Sequence, residues 1–182
     1  MTSENNWFDG SHIQTIDQIR DGWSQAVQET TDLFRSFSEA EFSADRDGRW
    51  TIAKNLDHLT RAARPVAKGL GLPKFLVRWK MGRGPGSSRS LSEVQKIYKD
   101  ILTEGAQVRG RFVPQGKTSQ QKALAQWDAC GQQLLKNLGR WSDAELDQYQ
   151  VPHPLIGVLT IREILFFTIF HTHHHVHNVK AS

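Results

Sequence analysis

Apolar residues recur at steps of three and four along four long stretches of this chain, and no segment alternates with period two for long enough to demand a sheet. That periodicity restricts the fold to packed helices. Ile13, Ile16, Ile19, Trp23, Val27, Phe34 and Phe37 trace the first stripe, with Ser11 as the expected N-cap and an end near Ser38. After the polar loop 45–49, Thr51 caps a second helix whose Ile52, Leu56, Leu59, Ala63 and Val66 share one face, and Trp50 is placed to staple its entry. Residues 69–90 hold five glycines and two prolines, with Lys and Arg but no acid, so they read as an irregular arm. A short helix is expected over 92–102. Beyond Pro114 and Gly116, Ser119 can cap a third long helix carrying Leu124, Trp127, Gly131, Leu134, Leu135 and Leu138. The last helix opens at Thr160 and Glu163, a capping box, and runs to about Val179; only Leu155 to Leu159 is ambiguous. The expectation is an all-α four-helix bundle with a long basic connection between helices 2 and 3.

At 182 residues the chain suits one domain over 1–182, with loose ends at about 1–10 and 180–182. Such a length buries roughly 70% of the unfolded surface, so no structural metal is needed for folding and any metal serves function. The single cysteine, Cys130, excludes an intramolecular disulfide and fits a reducing cytosol. Its place between Trp127 and Leu134 marks it as a buried, inert thiol. Residues 1–6 are polar, without the pattern of a signal peptide. The most apolar stretch, Leu155 to Phe170, is broken by Arg162 and Glu163, far short of the roughly 20 apolar residues that span a bilayer. A cytoplasmic protein with no membrane segment is therefore expected.

Charge is uneven. Residues 61–122 carry 14 Lys/Arg against 3 Asp/Glu, a net +11, within a chain of net +4. The simplest reading is a solvated basic surface; the functional one is a field that draws anions toward a site. Gly82 to Ser88 lacks the Gly-Lys-Ser/Thr end of a P-loop and reads as linker.

Five of the eight histidines fall within the seven residues His171 to His177. Ile161, Ile164, Thr168, His171, His175 and Asn178 form one seam, which places His171 and His175 where core residues belong. Histidines four apart on a helix can converge on one ion. His173 and His177 share that spacing, and His174 lies beside either pair. A third ligand must come from His12, His58 or His153; His58, mid-helix at the edge of an apolar face, is best placed. His12 sits near a helix end and His153 lies between two prolines in a loop.

The segment Trp50-Thr-Ile-Ala-Lys-Asn-Leu-Asp-His58-Leu, followed by Leu159 to Val179 with its His171-Thr-His-His-His175, resembles the DinB family, as does His153-Pro-Leu-Ile-Gly157. That resemblance implies a four-helix bundle with His58, His171 and His175 as ligands of a divalent metal, zinc or nickel, and Asn178 where a Gln is common. His173, His174 and His177 are then expected at the surface or supporting the ligands. Characterised relatives include metal-dependent transferases and isomerases that use small thiols such as bacillithiol or mycothiol. The first functional expectation is therefore a metal-dependent transferase or hydrolase that activates a small thiol or water. Its substrate is a small molecule, with an anionic low-molecular-weight thiol drawn in by Arg78, Lys80 and Arg83. No catalytic acid or base is assigned: Asp57 is expected to face away and Glu163 to act as a cap. The alternative is a stress-associated metal-binding or structural protein without turnover. Nucleic-acid binding through the basic arm ranks third, because no recognition motif accompanies the charge. A homodimer is compatible with apolar surface left on a bundle.

Overall fold

The computed structural model of the protein describes residues 8–181; the expected loose ends fall mainly outside that span. Four long helices, α1 (Ile16–Arg35), α3 (Ile52–Leu70), α6 (Gln120–Leu138) and α8 (Ile161–Lys180), form the bundle. Between them lie α2 (Glu39–Ser43), α4 (Lys74–Met81), α5 (Leu91–Thr103), a 3₁₀ turn (Gly110–Phe112), α7 (Glu145–Gln148) and the hairpin β1 (Gln150–His153)/β2 (Gly157–Thr160). Helices α1 and α3 each pack on both α6 and α8, closing a ring around one core, while α5 lies outside against α8. No helix among the described residues is long and apolar enough to cross a membrane.

The core follows the apolar stripes. Trp23 and Trp127 are buried and meet edge to face at 5.5 Å, and the Trp23 indole donates to the Gly131 carbonyl at 3.2 Å. Gly131 admits this approach: a Cβ there would stand 2.9 Å from a Val27 methyl. Cys130 is buried beside them, and burial pushes its thiol up to about 11, as expected of an inert cysteine.

Several boundaries differ from the sequence reading for identifiable reasons. Thr15, not Ser11, caps α1, because Thr15 and Gln18 complete a reciprocal capping box while Ser11 is tied to Asp9 in the preceding turn. The first helix stops at Arg35, since a second box, Ser38 with Glu41, starts α2. Ser119 sits at the α6 N-cap without a side-chain bond; the Glu39 carboxylate accepts from the Gln120 amide at 3.1 Å instead. The ambiguous stretch before α8 is the antiparallel hairpin, pairing Val151 with Leu159 and turning through Gly157 at φ 89°.

The arm 69–90 is neither irregular throughout nor loose. Pro73 and Gly82 bracket α4, and the chain beyond is clamped to the far end of the bundle. The Gly84 amide donates to the Gln148 carbonyl at 2.8 Å, so close to the backbone that a Cβ at Gly84 would lie 2.4 Å from the Asp147 carbonyl. Arg89 pairs with Glu163 at 2.8 Å, and the same carboxylate accepts from the Thr160 amide at 2.9 Å in the α8 capping box. Beside it the Arg162 guanidinium, with only 10% of its side chain exposed, donates to both Asp147 oxygens at 2.7 and 3.0 Å and to the Asp143 carbonyl at 2.8 Å. This network fixes the N-terminal end of α8, the helix that carries five of the histidines.

Candidate metal centre

Helix α8 begins at a satisfied capping box and is buried on every side through Thr172; of the five histidines it carries, His171 and His175 are buried and the other three half-buried. His171 and His175, one turn apart, face α3, where His58 is also buried. The Nε2 atoms of His58 and His171 are 3.2 Å apart, and one nitrogen from each of the three rings lies within 4.8 Å of the others. Among the described residues this is the one group of three or more potential ligands so placed.

The outer nitrogens are anchored. His58 Nδ1 donates to the Phe112 carbonyl at 2.9 Å, and His175 Nδ1 donates to Asn55 Oδ1 at 2.8 Å. Asn55 in turn gives its amide hydrogens to the carbonyls of Trp50 and Thr51, which fixes its oxygen toward His175. Both imidazoles are thereby held with the proton outward and the Nε2 lone pair inward, the arrangement that metal-binding histidines use. Two nitrogens bound to one tetrahedral ion at about 2.0–2.1 Å stand roughly 3.3 Å apart, so the His58 to His171 spacing suits a divalent ion without rearrangement. The Trp50 ring lies parallel to His175 at 5.9 Å, and Phe167 stacks on His171 at 5.1 Å. Burial holds all three imidazoles below their ordinary pKa, and for His171 and His175 the neighbouring imidazoles add to the effect. They are neutral at pH 7, as ligands must be.

Asn55 supports His175 through one hydrogen bond, and replacing it by leucine leaves the Nδ1 donor buried without an acceptor. Asn55→Leu is expected to weaken zinc binding by roughly 10- to 100-fold while the helical circular dichroism is retained. Competition with a chromophoric chelator measures the change; unaltered affinity would show that Asn55 does not orient the ligand.

His58 and His171 border a cavity of about 940 Å³ enclosed by α3, α8, Tyr98 and Leu102 of α5, the segment 106–112 and the hairpin. Its walls are mostly apolar, with Lys68, Arg109 and Arg111 among the lining residues. Tyr98 is buried enough for its phenol to be pushed up to about 12. His153, expected in a loop, ends β1 and belongs to this wall. Its Nδ1 accepts from the Leu155 and Ile156 amides at 3.3 and 3.2 Å, and its ring is 4.4 Å from Phe167. Burial brings its pKa down to about 4, so it is neutral with the proton on Nε2.

The remaining candidates go elsewhere. His173 stacks on Phe8 at 4.5 Å with Nδ1 3.3 Å from the Glu29 carboxylate, and His174 contacts Asn178 at 3.1 Å. Neither these nor His177 joins the triad, and His12 lies in the turn before α1. Asp57 faces away, bound to Arg61 at 2.8 Å and to the Gln115 amide at 2.7 Å, and Glu163 is held by Arg89. The cations of the arm do not reach the cavity: α4 turns Arg78 and Lys80 to solvent, Arg83 beyond its C-cap is exposed as well, and Lys68, Arg109 and Arg111 line the cavity instead. Asn55 left a trace in the sequence, a polar residue three before His58 on an otherwise apolar face; Phe112 left none, because it acts through its backbone.

The sequence model of the DinB superfamily matches residues 23–179, which include all three histidines. The chain belongs to the DinB superfamily. Among solved structures this DinB protein is similar to TT2238, described as a four-helix bundle protein, with 19% identity and a TM-score of 0.59 over 92% of this chain and 100% of that one. At that identity the likeness concerns the fold alone. No curated protein matches the chain.

Proposed function

We propose that this DinB protein is a metal-dependent enzyme, a transferase or hydrolase, whose His58, His171 and His175 hold a zinc or nickel ion. The observation that carries this reading is the opening of two of the three imidazoles directly onto a ligand-sized cavity. A closed structural zinc site takes four protein ligands, whereas three ligands and an open side characterise sites of reaction. An ion held there supplies a Lewis acid that lowers the pKa of a bound water or thiol. The chain's own residues do the rest. Phe112 and Asn55 set the tautomers of His58 and His175, Trp50 and Phe167 keep the rings in place and exclude water from behind them, and His153 offers an N–H in the cavity wall. Lys68, Arg109 and Arg111 suit an anionic co-substrate such as a low-molecular-weight thiol.

A metal-binding protein without turnover is the second reading. It is favoured by one observation: Asp57 and Glu163 are both engaged in ion pairs, which leaves neither free to act as acid or base at the triad. Thiol consumption separates the two. Zinc- and nickel-loaded protein, offered bacillithiol or mycothiol with a panel of electrophiles, is expected to consume thiol faster than the EDTA-treated protein or His58→Ala. Equal rates throughout the panel would assign the chain to the second reading.

A further inference from the structure

The cavity is much longer than a small thiol requires. His58 and Leu70 both line it, and the step of twelve residues from one to the other rises roughly 18 Å along α3. The wall over that length is mostly hydrocarbon, made by Val66, Leu102, Val108, Leu155 and Ile164 among others, with Lys68 near its Leu70 end. A sugar-like ligand laid against it would lose the partners of its hydroxyls, a cost that a hydrocarbon chain does not incur. A volume of about 940 Å³ stands at the upper end of the range for small-molecule sites.

One polar group in that wall is oriented in advance. His153 Nδ1 is occupied by the Leu155 and Ile156 amides, so its N–H is directed from Nε2. A single ring, Phe167, separates it from His171, with centroids 4.4 Å from His153 and 5.1 Å from His171. A fixed donor one ring away from His171, in the wall of a largely apolar channel, matches a ligand with one acceptor oxygen and a long hydrocarbon tail.

We propose that the cavity binds a medium-chain acyl compound, its carbonyl oxygen accepting from His153 Nε2–H near His171 and its chain lying along α3 toward Leu70. This deepens the reading of the same site and rests on it only for what happens to the carbonyl; chain binding needs no turnover. A free carboxylate and an ester share the acceptor oxygen, and the carboxylate adds a charge for Arg109 and Arg111.

The test uses the zinc-loaded full chain and displacement of a dansyl-labelled fatty acid by butanoate, hexanoate, octanoate, decanoate and their methyl esters. Kd is expected to fall about two- to fourfold for each added methylene, the factor that follows from burying one CH₂. Acids and esters of equal rank indicate recognition of the carbonyl; a clear advantage of the acids indicates the carboxylate, and either outcome supports the acyl site. Val66→Trp and Ala62→Phe, which fill the channel at half-buried positions, are expected to weaken decanoate at least tenfold with zinc content unchanged. His153→Asn keeps an acceptor for the two amides in its Oδ1 but, being shorter than the ring, places no donor where Nε2 stands. It should weaken decanoate roughly tenfold and leave 1-chlorodecane unaffected. Affinities independent of chain length, or insensitive to both channel-filling variants, would overturn the proposal. Zinc content read on the same samples keeps the metal reading separate: retained zinc without chain dependence defeats only the acyl site, and chain dependence without zinc defeats only the metal.

Discussion

His58→Ala, prepared without an affinity tag and loaded with zinc, is expected to hold less than about a tenth of the metal that the unaltered chain retains at close to one equivalent. The reason is ligand number: two imidazoles remain on α8, and a protein site with an open position ordinarily needs three ligands. The loss should be specific, because His173 and His174, though close in sequence, are committed to Glu29 and Asn178 and cannot take the vacated place. Their alanine variants should keep the metal. Elemental analysis after gel filtration decides the matter, and a wild-type chain that emerges equally metal-free would remove the site altogether. Acid has a predictable sign. In the metal-free protein the folded-state pKa values of His58, His171 and His175 lie below the ordinary 6.5, so between those values the unfolded chain binds more protons. Stability is therefore complete above about pH 6.5 and is lost as pH falls through the depressed values. Bound metal competes with those same protons, so loaded protein should resist acid to a lower pH than metal-free protein in urea titrations.

Arg162→Met is expected to lower stability by about 3 kcal/mol or more, the range found when one partner of a buried ion pair is removed. Burial works against the charge of Arg162, yet Asp147 and Asp143 outweigh it and hold the guanidinium more firmly protonated than usual. Methionine fills the space but leaves the Asp147 carboxylate with the Ser88 hydroxyl as its side-chain donor and no counter-charge, and takes the guanidinium from the Asp143 carbonyl. For a domain of this size the loss corresponds to a melting temperature lower by roughly 6–12 °C. Arg20→Ala provides the contrast: its partner Asp17 has 77% of its side chain exposed, and such a pair contributes less than about 0.5 kcal/mol. Urea unfolding of both variants measures the difference, and similar midpoints would show that the Arg162 network carries no special load.

The bundle was legible because its four long helices are amphipathic, and periodicity records which face is buried. Of the shorter elements, α5 (Leu91–Thr103) matches the helix expected over 92–102, whereas α4 and the hairpin were not legible. Helix α4 is framed by Pro73 and Gly82 and exposes Phe75 and Trp79, so its composition is that of a loop and its apolar residues do not mark a core. The hairpin is only four residues per strand, too short for alternation to register. At the triad, the spacing of His171 and His175 identified a pair but could not separate it from His173 and His177; packing decides, because the first pair faces α3 and His173 faces Phe8 and α1. The choice of His58 needed the face on which it lies. Supports supplied by backbone atoms, such as the Phe112 carbonyl, depend on how a distant loop folds back and have no sequence signal.

The triad and the cavity come from different classes of element. His58, His171 and His175 stand on two long helices whose other faces form the core, whereas much of the cavity wall is supplied by the segment 106–112 and the hairpin with its turn. Changes to the helices would disturb packing throughout the bundle, but the connections can vary in length and composition at small cost. The histidine triad is thus inherited with the scaffold, while the cavity wall is free to drift. Divergence among chains built this way should accumulate in the connections, and grafting the 104–116 and 150–158 segments from one such chain to another is the economical route to exchanging what they bind.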